Sequence, residues 1–366
     1  MKIALVHDFL IQDGGAERVL RAFCNIWPDA PIFTIVHSKK NSPEPFKFKK
    51  INSSFLQKIP FGVRNYQWFL PIMPAAVERL DLSDFDVVLS SASAFSKGII
   101  THPQTLHICY CHTPTRYLWS DTLKYIDELN YNSIIKKTVP LILPRLRVWD
   151  KLSADRVDLF IANSKTVSKR IKKYYGRESD IINPPVETDK FGISEKPGEY
   201  FLTGGRLVPY KRFDIAIKVF SRLGIPLKIF GTGPELKNLR NISRKNIEFL
   251  GQISDEEKTE VFKNAIAFIN PQEEDFGITA LESMASGRPV IALAKGGARE
   301  TIIAGVTGEF FEEQTWESLA HAVLKFKSDT YSPARIREYA LQFDTEIFKE
   351  KIKSFVENSK HKYCEI

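Results

Sequence analysis

Short apolar runs alternate with amphipathic stretches along the first half of this chain. The runs have strand character, and the stretches between them repeat apolar residues at helical spacing. The strand-like runs are KIALVHD, PIFTIV, DVVLSS, LHICYCH, DLFIANS and DIINPP. Helices are predicted at residues 16–27, 66–80 and 166–175, with others through Trp149. This alternation is typical of a parallel sheet with helices on both faces.

The same alternation returns after NPPVETDKFGISEKPGEY, a segment whose proline and glycine content is that of a linker. The second set of strand-like runs is YFLTGG, PLKIFG, IEFLG, AIAFIN, PVIAL and GEFF. Helices are predicted between them at residues 213–223, 235–241, 255–264 and 277–286, and after them at 316–326, 334–342 and 345–358. We therefore predict an α/β fold of two doubly wound, Rossmann-like parallel-sheet domains. Their expected bounds are 1–183 and 184–344, with residues 345–366 packing back on the first.

Two such domains facing each other across a cleft would hold a ligand at the carboxyl ends of their strands. The chain is long enough for both, because 366 residues exceed the usual size of one domain. Hydrophobic residues at 43% and charged residues at 26% indicate a soluble globular protein.

The expected compartment is the cytoplasm. No apolar run approaches the length of a membrane span, and the first residues predict a strand rather than a signal peptide. The four cysteines show no disulfide-framework spacing and are expected to be reduced. A zinc site at CYCH is disfavoured, because Cys109 and Cys111 belong to a strand and no second ligand pair with zinc spacing follows.

The net charge of +8 is concentrated in three basic clusters of the first half, at residues 47–50, 136–147 and 169–177. The chain has no nucleic-acid-binding signature, so no nucleic acid is expected as a partner. An anionic membrane surface fits better, and would make the protein peripheral at the inner face of the plasma membrane. The second cluster interleaves its charges with Ile134, Ile135, Val139, Leu141, Ile142 and Leu143. The alternative for each cluster is the solvated face of an ordinary helix.

The stretch EEDFGITALE places Glu274 and Glu282 on either side of a predicted helix start near Gly277. Leu281 and Ala285 share one face of that helix, and Glu282 lies beside this packed face, where a carboxylate needs a partner. Acidic residues are common at helix starts because they interact favourably with the helix dipole. That alternative explains Glu274 better than Glu282, which is more than one turn inside.

The stretch TGGRLVPYKRFD follows the carboxyl end of a strand, where open parallel sheets bind ligands. Lys211 and Arg212 stand at the start of a helix, although cations there oppose the dipole. An anion such as a diphosphate, bound between the helix start and Arg206 with Lys211, would resolve the conflict. A local ion pair with Asp214 is the alternative.

Two weaker signals lie in the first domain. Gly14 and Gly15, in HDFLIQDGGAERVL, allow a backbone to approach a ligand at a helix start, although a plain flexible turn would also use them. They do not form the dinucleotide-binding glycine fingerprint. His112, in YCHTPTRYLW, ends a strand, as His7 does, but a lone histidine is more often structural.

Together these motifs resemble the retaining, nucleotide-sugar-dependent glycosyltransferases of family 4, which have the GT-B fold. Further similarity lies in NPPVETDKF, FGTGP, FLGQIS, AKGGARETI and GVTGEFF. Four family motifs are matched: E-x7-E by Glu274 and Glu282, R-x4-K by Arg206 and Lys211, the glycine-rich first turn by Gly14 and Gly15, and the histidine motif by His112.

Within the family, CHTPTRYLW and NPPVETDKF look most like mannosyltransferases that build bacterial O-antigen and other surface polysaccharides from GDP-mannose. The resemblance implies that Glu282 holds the ribose and Glu274 the transferred sugar, while Arg206 and Lys211 hold the diphosphate. With His112, the last three would be the catalytic residues. The further donor contacts that it implies are Gly14, Gly15, Gly251, Gln252, Ile253, Phe276, Gly277 and Ile278.

The expected substrates are GDP-mannose or another nucleotide sugar and a glycan or lipid-linked glycan acceptor. No metal or other cofactor is expected, because no D-x-D pair lies in a suitable loop. Two other functions share this fold and nucleotide site: a non-hydrolysing sugar-nucleotide epimerase and a non-catalytic nucleotide-sugar-binding subunit. A nicotinamide-dependent oxidoreductase is disfavoured by the missing glycine fingerprint.

Overall fold

The computed structural model describes residues 1–38, 46, 48–63, 65–122, 133–194, 196 and 198–364, and for residues 133–139 only the backbone. The chain separates into two compact units. Unit 1 comprises Met1–Pro185 with Phe348–Ile366, and unit 2 comprises Val186–Ile347. Each unit is a parallel sheet covered by helices, which confirms the predicted fold class.

The sheet of unit 1 has seven parallel strands in the described part of the chain, in the order β3-β2-β1-β4-β5-β6-β7. The carboxyl ends of β1, β4 and β5 are neighbours, and His7 on β1 lies opposite Ser91 on β4. The short edge strand β3 is half exposed and was not predicted. The strands are β1 (Ile3–Leu10), β2 (Ile32–His37), β3 (Ile51–Ser53), β4 (Val87–Ala92), β5 (Leu106–Cys111), β6 (Leu159–Ala162) and β7 (Asp180–Ile181).

The described helices that belong wholly to unit 1 are α1 (Gly15–Ile26), α2 (Met73–Glu78), α3 (Ser133–Asp155) and α4 (Lys165–Tyr175). The continuous helix predicted at residues 66–80 was wrong. A 3-10 helix, Tyr66–Ile72, contains Pro71, and α2 begins only after it. Pro71 lacks the backbone N–H of a helix hydrogen bond, and Pro74 suits the first turn of a new helix.

The sheet of unit 2 has six parallel strands among the described residues, in the order β10-β9-β8-β11-β12-β13. They are β8 (Tyr200–Gly204), β9 (Leu227–Phe230), β10 (Ile247–Gly251), β11 (Ala265–Asn270), β12 (Val290–Leu293) and β13 (Gly308–Phe311). The helices within this unit are α5 (Phe213–Leu223), α6 (Leu236–Asn241), α7 (Asp255–Lys263), α8 (Ile278–Ala285), α9 (Ala298–Thr301), α10 (Trp316–Lys325) and α11 (Pro333–Leu341).

The last helix, α12 (Thr345–Cys364), belongs to unit 1 from Phe348 onward. Its apolar residues Phe348, Ile352 and Val356 are buried in the same core cluster as α1. Phe348 stacks on Phe23 of α1 with ring centroids 6.0 Å apart. Across the described part of the chain, no helix combines the length and the apolar character needed to cross a bilayer.

Candidate functional site

Lys211 and Glu274 meet beyond the carboxyl ends of the neighbouring strands β8 and β11. Lys211 Nζ lies 3.1 Å from Glu274 Oε1, and the two side chains are only 13% and 16% exposed. Gln272 Nε2 donates a hydrogen bond to the same carboxylate oxygen at 2.9 Å. Burial lowers the pKa of Lys211, but the Glu274 carboxylate raises it, and the net pKa is raised above the ordinary lysine value. The ammonium group is therefore charged.

The other predicted cation, Arg206, lies on the loop that leaves β8 and is exposed. Its charge acts on Lys211, whose pKa it lowers against the effect of Glu274. Arg212 instead forms two short contacts with Asp214, at 3.0 and 3.1 Å. The local pair that the sequence offered as an alternative therefore applies to Arg212, whereas Lys211 is directed to Glu274.

Helix α8 begins directly after Gly277, as predicted. Gly277 has φ 97°, a left-handed conformation that favours glycine, and a Cβ there would lie 3.4 Å from Glu274 Oε2. The first backbone N–H groups of a helix have no acceptor within it, so they favour a nearby anion. Glu274 and the start of α8 thus form one edge of the candidate site.

The AKGGARE loop, which carried part of the family resemblance, holds the backbone of Glu274. Gly297 N donates to Glu274 O at 2.8 Å. A Cβ on Gly296 would lie 2.3 Å from the same oxygen, so a larger residue would displace the Glu274 backbone. The sequence placed these glycines in the family pattern but did not connect them with Glu274.

Glu282 has the partner that its buried position requires. It is 2% exposed, and Lys258 Nζ of helix α7 lies 2.6 Å from its Oε1 atom. Lys258 also stands over the rings of Phe230 and Phe262, at 6.0 and 5.9 Å from their centroids. Sequence reasoning missed Lys258, because nothing in the exposed, highly charged pattern of SDEEKTEVFK distinguishes it from its neighbours.

The predicted base-binding turn, Gly251 to Ile253, leads into the helix that carries Lys258. Gly251 ends β10 with φ 73°, and Ser254 then caps α7 in a reciprocal capping box with Glu257. The cap fixes the start of the helix, and Lys258 follows it by one turn. The turn and Glu282 are therefore connected through one short, well-capped helix.

Two predicted donor contacts can contribute mainly through their backbone. Phe276 is 3% exposed, and its ring packs edge-on against Phe343 at 5.7 Å. Ile278 packs against the same core cluster. Their side chains thus anchor the start of α8 in the core.

In unit 1, His112 lies at the end of a hydrogen-bonded chain of side chains. Ser91 Oγ is 2.8 Å from His112 Nε2 and 3.0 Å from His7 Nδ1. His7 Nε2 lies 3.7 Å from Glu17 Oε1 on helix α1. The structure therefore joins His112 to His7 through a serine that sequence reasoning missed. The expectation that His7 ends a strand was wrong, because β1 continues to Leu10.

The glycine turn that precedes α1 is part of the same region. Gly14 is the N-cap of the helix, with Gly15 as the first helical residue. A Cβ on Gly14 would lie 3.1 Å from Glu17 Oε2, so the buried carboxylate uses the space that a side chain would occupy. Gly14 thus accommodates Glu17, and Gly15 is exposed.

Asp8, the residue after His7, was also missed. Its carboxylate accepts backbone N–H groups from Ser93, Ala94, Phe95 and Ser96, at 2.6 to 2.9 Å. Such bonds hold the loop after β4 against the end of β1. They explain how Ser91, at the end of β4, stays in register with His7.

The CYCH segment shows no sign of a metal site. Cys109 and Cys111 are buried in a hydrophobic cluster with Phe160 and Val167. Burial raises the pKa of the Cys109 thiol to about 12, so it stays protonated. Among the described residues, no group of three or more His, Cys, Asp or Glu side chains is placed to hold a metal ion.

These features define a class of protein. It is an α/β protein with two Rossmann-like units, and the second unit carries two lysine–glutamate ion pairs around the start of a helix. Two family models match it. The model of Glycosyltransferase Family 4 matches residues 13–190, and the model of Glycosyl transferases group 1 matches residues 185–343. The chain belongs to the glycosyltransferases of the family 4 type, with the GT-B fold.

Individual relatives are distant. An uncharacterized glycosyltransferase of Methanocaldococcus jannaschii is 27% identical over 212 residues, 56% of this chain and 60% of that protein. The alpha-1,3/1,6-mannosyltransferase ALG2 of Dictyostelium discoideum is 24% identical over 315 residues, 73% of this chain and 71% of the relative. The first match thus spans less than two thirds of the relative's own length.

The fold is matched over nearly the whole chain by a solved structure, that of Anabaena HepE in complex with UDP and glucose. The TM-score is 0.73 at 18% sequence identity, and the match covers 98% of this chain and 99% of the other. At this identity the likeness concerns the fold alone.

Proposed function

We propose that this chain transfers a sugar from a nucleotide-sugar donor to a glycan or lipid-linked glycan acceptor, with retention at the anomeric carbon. GDP-mannose is the donor that we favour, and surface polysaccharide or O-antigen synthesis the process. The observation that carries the proposal is the placement of Lys211 with Glu274, and of Lys258 with Glu282, around the start of α8.

The diphosphate is proposed to bind beside Lys211 and Arg206. Lys211 is largely buried, charged and already paired with Glu274, so the added anion would share a preformed cation. The N–H groups at the start of α8 favour negative charge at the same place. These groups, rather than a metal ion, would stabilise the departing diphosphate.

The ribose and the sugar are proposed to use different carboxylates. Glu282, buried and paired with Lys258, would accept hydrogen bonds from the ribose hydroxyls. Glu274 would serve the transferred sugar as positive charge develops at its anomeric carbon. The base would lie against the turn from Gly251 to Ile253.

Retention is proposed to follow a same-face substitution. The bond between the anomeric carbon and the diphosphate oxygen breaks with its electron pair going to the phosphate. The acceptor oxygen forms the new bond on the same face and gives its proton to the leaving phosphate oxygen. In unit 1, His112 is proposed to hydrogen-bond a substrate hydroxyl during this step.

A panel of thermal shifts tests the donor class. Ligands that bind only the folded protein raise its melting temperature by mass action. GDP and GDP-mannose should raise it more than UDP, ADP and their sugars at equal concentration, and the shift should be smaller in the E282A variant. The ALG2 relative favours mannose by its name. A larger shift with UDP would overturn the GDP assignment and leave the family function intact.

A sugar-nucleotide epimerase remains the rival with the same donor site. Incubation with donor alone separates the two functions. An epimerase converts the sugar nucleotide without an acceptor, whereas a transferase leaves most of it unchanged until an acceptor is added. Accumulation of an epimerised sugar nucleotide would reject the transferase. A non-catalytic subunit would produce neither product.

We also propose that the protein works in the cytoplasm, at the inner face of the plasma membrane. Helix α3 displays Leu141, Val148 and Leu152, which are 74%, 62% and 56% exposed. Their spacing puts them on one helix face with the exposed Arg145 between them. An apolar strip with a basic residue suits an anionic bilayer surface. Lys47 and the side chains of Ile134, Ile135, Lys136, Lys137 and Val139, from the predicted clusters, lie outside the described residues.

The third basic cluster, at residues 169–177, contributes less to this proposal. Lys172 pairs with Glu178 at 2.6 Å on the surface. Arg177 donates to the backbone oxygens of Ala154 and Asp158. These contacts fit the alternative of an ordinary solvated helix face.

A further inference from the structure

Ser91 lies between two histidines in the interior of unit 1. Its side chain is fully buried, and His7 is 3% exposed. The hydroxyl is 3.0 Å from His7 Nδ1 and 2.8 Å from His112 Nε2. A hydroxyl has one proton to donate, so it can donate to only one of the two nitrogens and must accept from the other.

This constraint couples the proton positions of the two rings. A neutral imidazole carries its proton on one nitrogen and a lone pair on the other. If His7 has its proton on Nε2, its Nδ1 accepts from Ser91, and Ser91 must then accept from His112 Nε2–H. His112 is thereby left with a lone pair on Nδ1. If His7 has its proton on Nδ1, every bond reverses and His112 carries Nδ1–H.

Glu17 favours one of these two proton arrangements over the other. Its carboxylate, on a residue that is 3% exposed, lies 3.7 Å from His7 Nε2. At this separation a negative charge in a poorly hydrated place favours the N–H on the facing nitrogen. Burial lowers the pKa of His112 to about 3, so that ring is neutral near pH 7.

We propose that Glu17, His7 and Ser91 are positioning residues that fix the tautomer of His112, with the proton on Nε2 and Nδ1 presented as a hydrogen-bond acceptor. An unprotonated Nδ1 accepts a hydrogen bond from a substrate hydroxyl and cannot donate one to a carbonyl or phosphate oxygen. The tautomer assignment stands on the geometry of unit 1. The use of Nδ1 by a sugar hydroxyl rests on the proposed function.

The direct test is a two-bond proton–nitrogen spectrum of the full chain with nitrogen-15-labelled histidine at pH 8, where neutral imidazoles dominate. The H112N variant assigns the signals. We expect His112 to be protonated on Nε2. The E17Q variant removes the charge, so the Nδ1–H form of His112 should increase. In the S91A background, adding E17Q should no longer change the tautomer of His112. A wild-type His112 protonated on Nδ1, or one that ignores E17Q, would overturn the proposal.

The neighbouring pair of Ser90 and His107 provides a matched control. Ser90 Oγ lies 2.8 Å from His107 Nε2, in the same sheet and equally buried. S90A should change the His107 signals and leave those of His112 in place. If S90A shifted the His112 signals as much as S91A does, the effect would come from a general loosening of the sheet. It would then not come from the hydrogen-bonded chain of Glu17, His7 and Ser91.

A kinetic arm uses the conservative variant. S91A should lower kcat by roughly fivefold to tenfold, the size of one lost positioning hydrogen bond, with little change in the KM for the donor. S91T keeps the hydroxyl and should retain most of the activity. Equal losses in both would indicate a packing effect and contradict the tautomer role. If no donor is turned over at all, the proposed function fails, but the spectra still decide the tautomer.

Discussion

Lys258 and Glu282 form a short ion pair between helices α7 and α8, with 2.6 Å between Nζ and Oε1. The carboxylate is almost completely buried, while the lysine side chain keeps 13% of its surface exposed. Burial of a single charge is very unfavourable, and a paired charge in the same place is tolerated. The pair therefore gives Glu282 a structural role in addition to the ribose contact that we propose for it.

Substitution of Glu282 should separate those two roles. In E282A, both GDP and GDP-sugar should bind about ten- to a hundredfold more weakly, the loss of a charge-assisted hydrogen bond of roughly 1.5 to 3 kcal/mol. Calorimetric titration with free GDP measures this directly. Unchanged GDP affinity would contradict the ribose role and leave Glu282 as the structural partner of Lys258.

The structural role has its own double-mutant cycle. Removing one member of a buried pair typically costs about 3 kcal/mol of unfolding free energy, because the other charge is left uncompensated. K258M should therefore lower the stability measured in urea, and K258M combined with E282L should recover part of the loss. A double variant as unstable as the sum of the two single variants would show that the residues do not interact.

Substitution of Glu274 should lower catalysis and leave nucleotide binding nearly unchanged. In E274A, free GDP should bind with nearly normal affinity, because the proposed contact is to the sugar. The kcat should fall, since that contact strengthens as charge develops in the transition state. E273A, at the neighbouring residue, is the matched control and should retain activity. A large loss of GDP affinity in E274A would place this carboxylate at the nucleotide instead.

Turnover should survive excess EDTA. In the proposed mechanism, Lys211, Arg206 and the start of α8 stabilise the negative charge of the departing diphosphate. Steady-state rates measured with and without chelator should agree within error, while K211A should lower kcat strongly at any metal concentration. Activity that is lost with EDTA and restored by magnesium would reject metal independence.

Binding to anionic vesicles should depend on the exposed strip of α3. Each basic contact at a bilayer surface contributes about 1 kcal/mol at low salt. Sedimentation with vesicles rich in phosphatidylglycerol should recover the protein at low salt and less of it at high salt. The variant L141S/V148S/L152S should bind more weakly, whereas L324S, at an exposed leucine of α10, should not. Failure to sediment at low salt would remove the membrane proposal.

Acid should destabilise unit 1 through a histidine that lies outside the site. Burial lowers the pKa of His107 from 6.5 to about 3, so the folded protein holds this ring neutral while the unfolded chain protonates it. Below about pH 6.5 the unfolded state binds more protons, and stability falls as pH falls. At pH 5 the loss is about 2 kcal/mol for this group. Urea unfolding at pH 7.5 and pH 5 should show a smaller pH difference in H107Q than in the native protein.

The fold was largely predictable because its strands and helices bury one side at regular spacing. The helix that starts after Gly277 shows how local this information is, since a glycine, an apolar face and a flanking carboxylate all lie within ten residues. The 3-10 segment that contains Pro71 and the three-residue strand β3 escaped prediction, since neither has enough periodic residues to show a pattern.

The site was predictable only where a motif lies in one stretch of sequence. Glu274 and Lys211 were identified separately, but their contact depends on the order of β8 and β11 in the sheet. Lys258, Ser91 and Asp8 were missed because their roles come from partners far away in sequence. Asp8, for example, binds residues more than eighty positions later. Such contacts follow from the topology of the sheet and not from local composition.

The return of the C-terminal helix to unit 1 has a consequence for biosynthesis. Phe348, Ile352 and Val356 complete the core that α1 begins. All of unit 2 lies in the chain between the first part of unit 1 and these three residues. During translation, domains generally fold as they emerge from the ribosome. Unit 2 can fold once its own residues have emerged, whereas the core of unit 1 stays incomplete until α12 has been made.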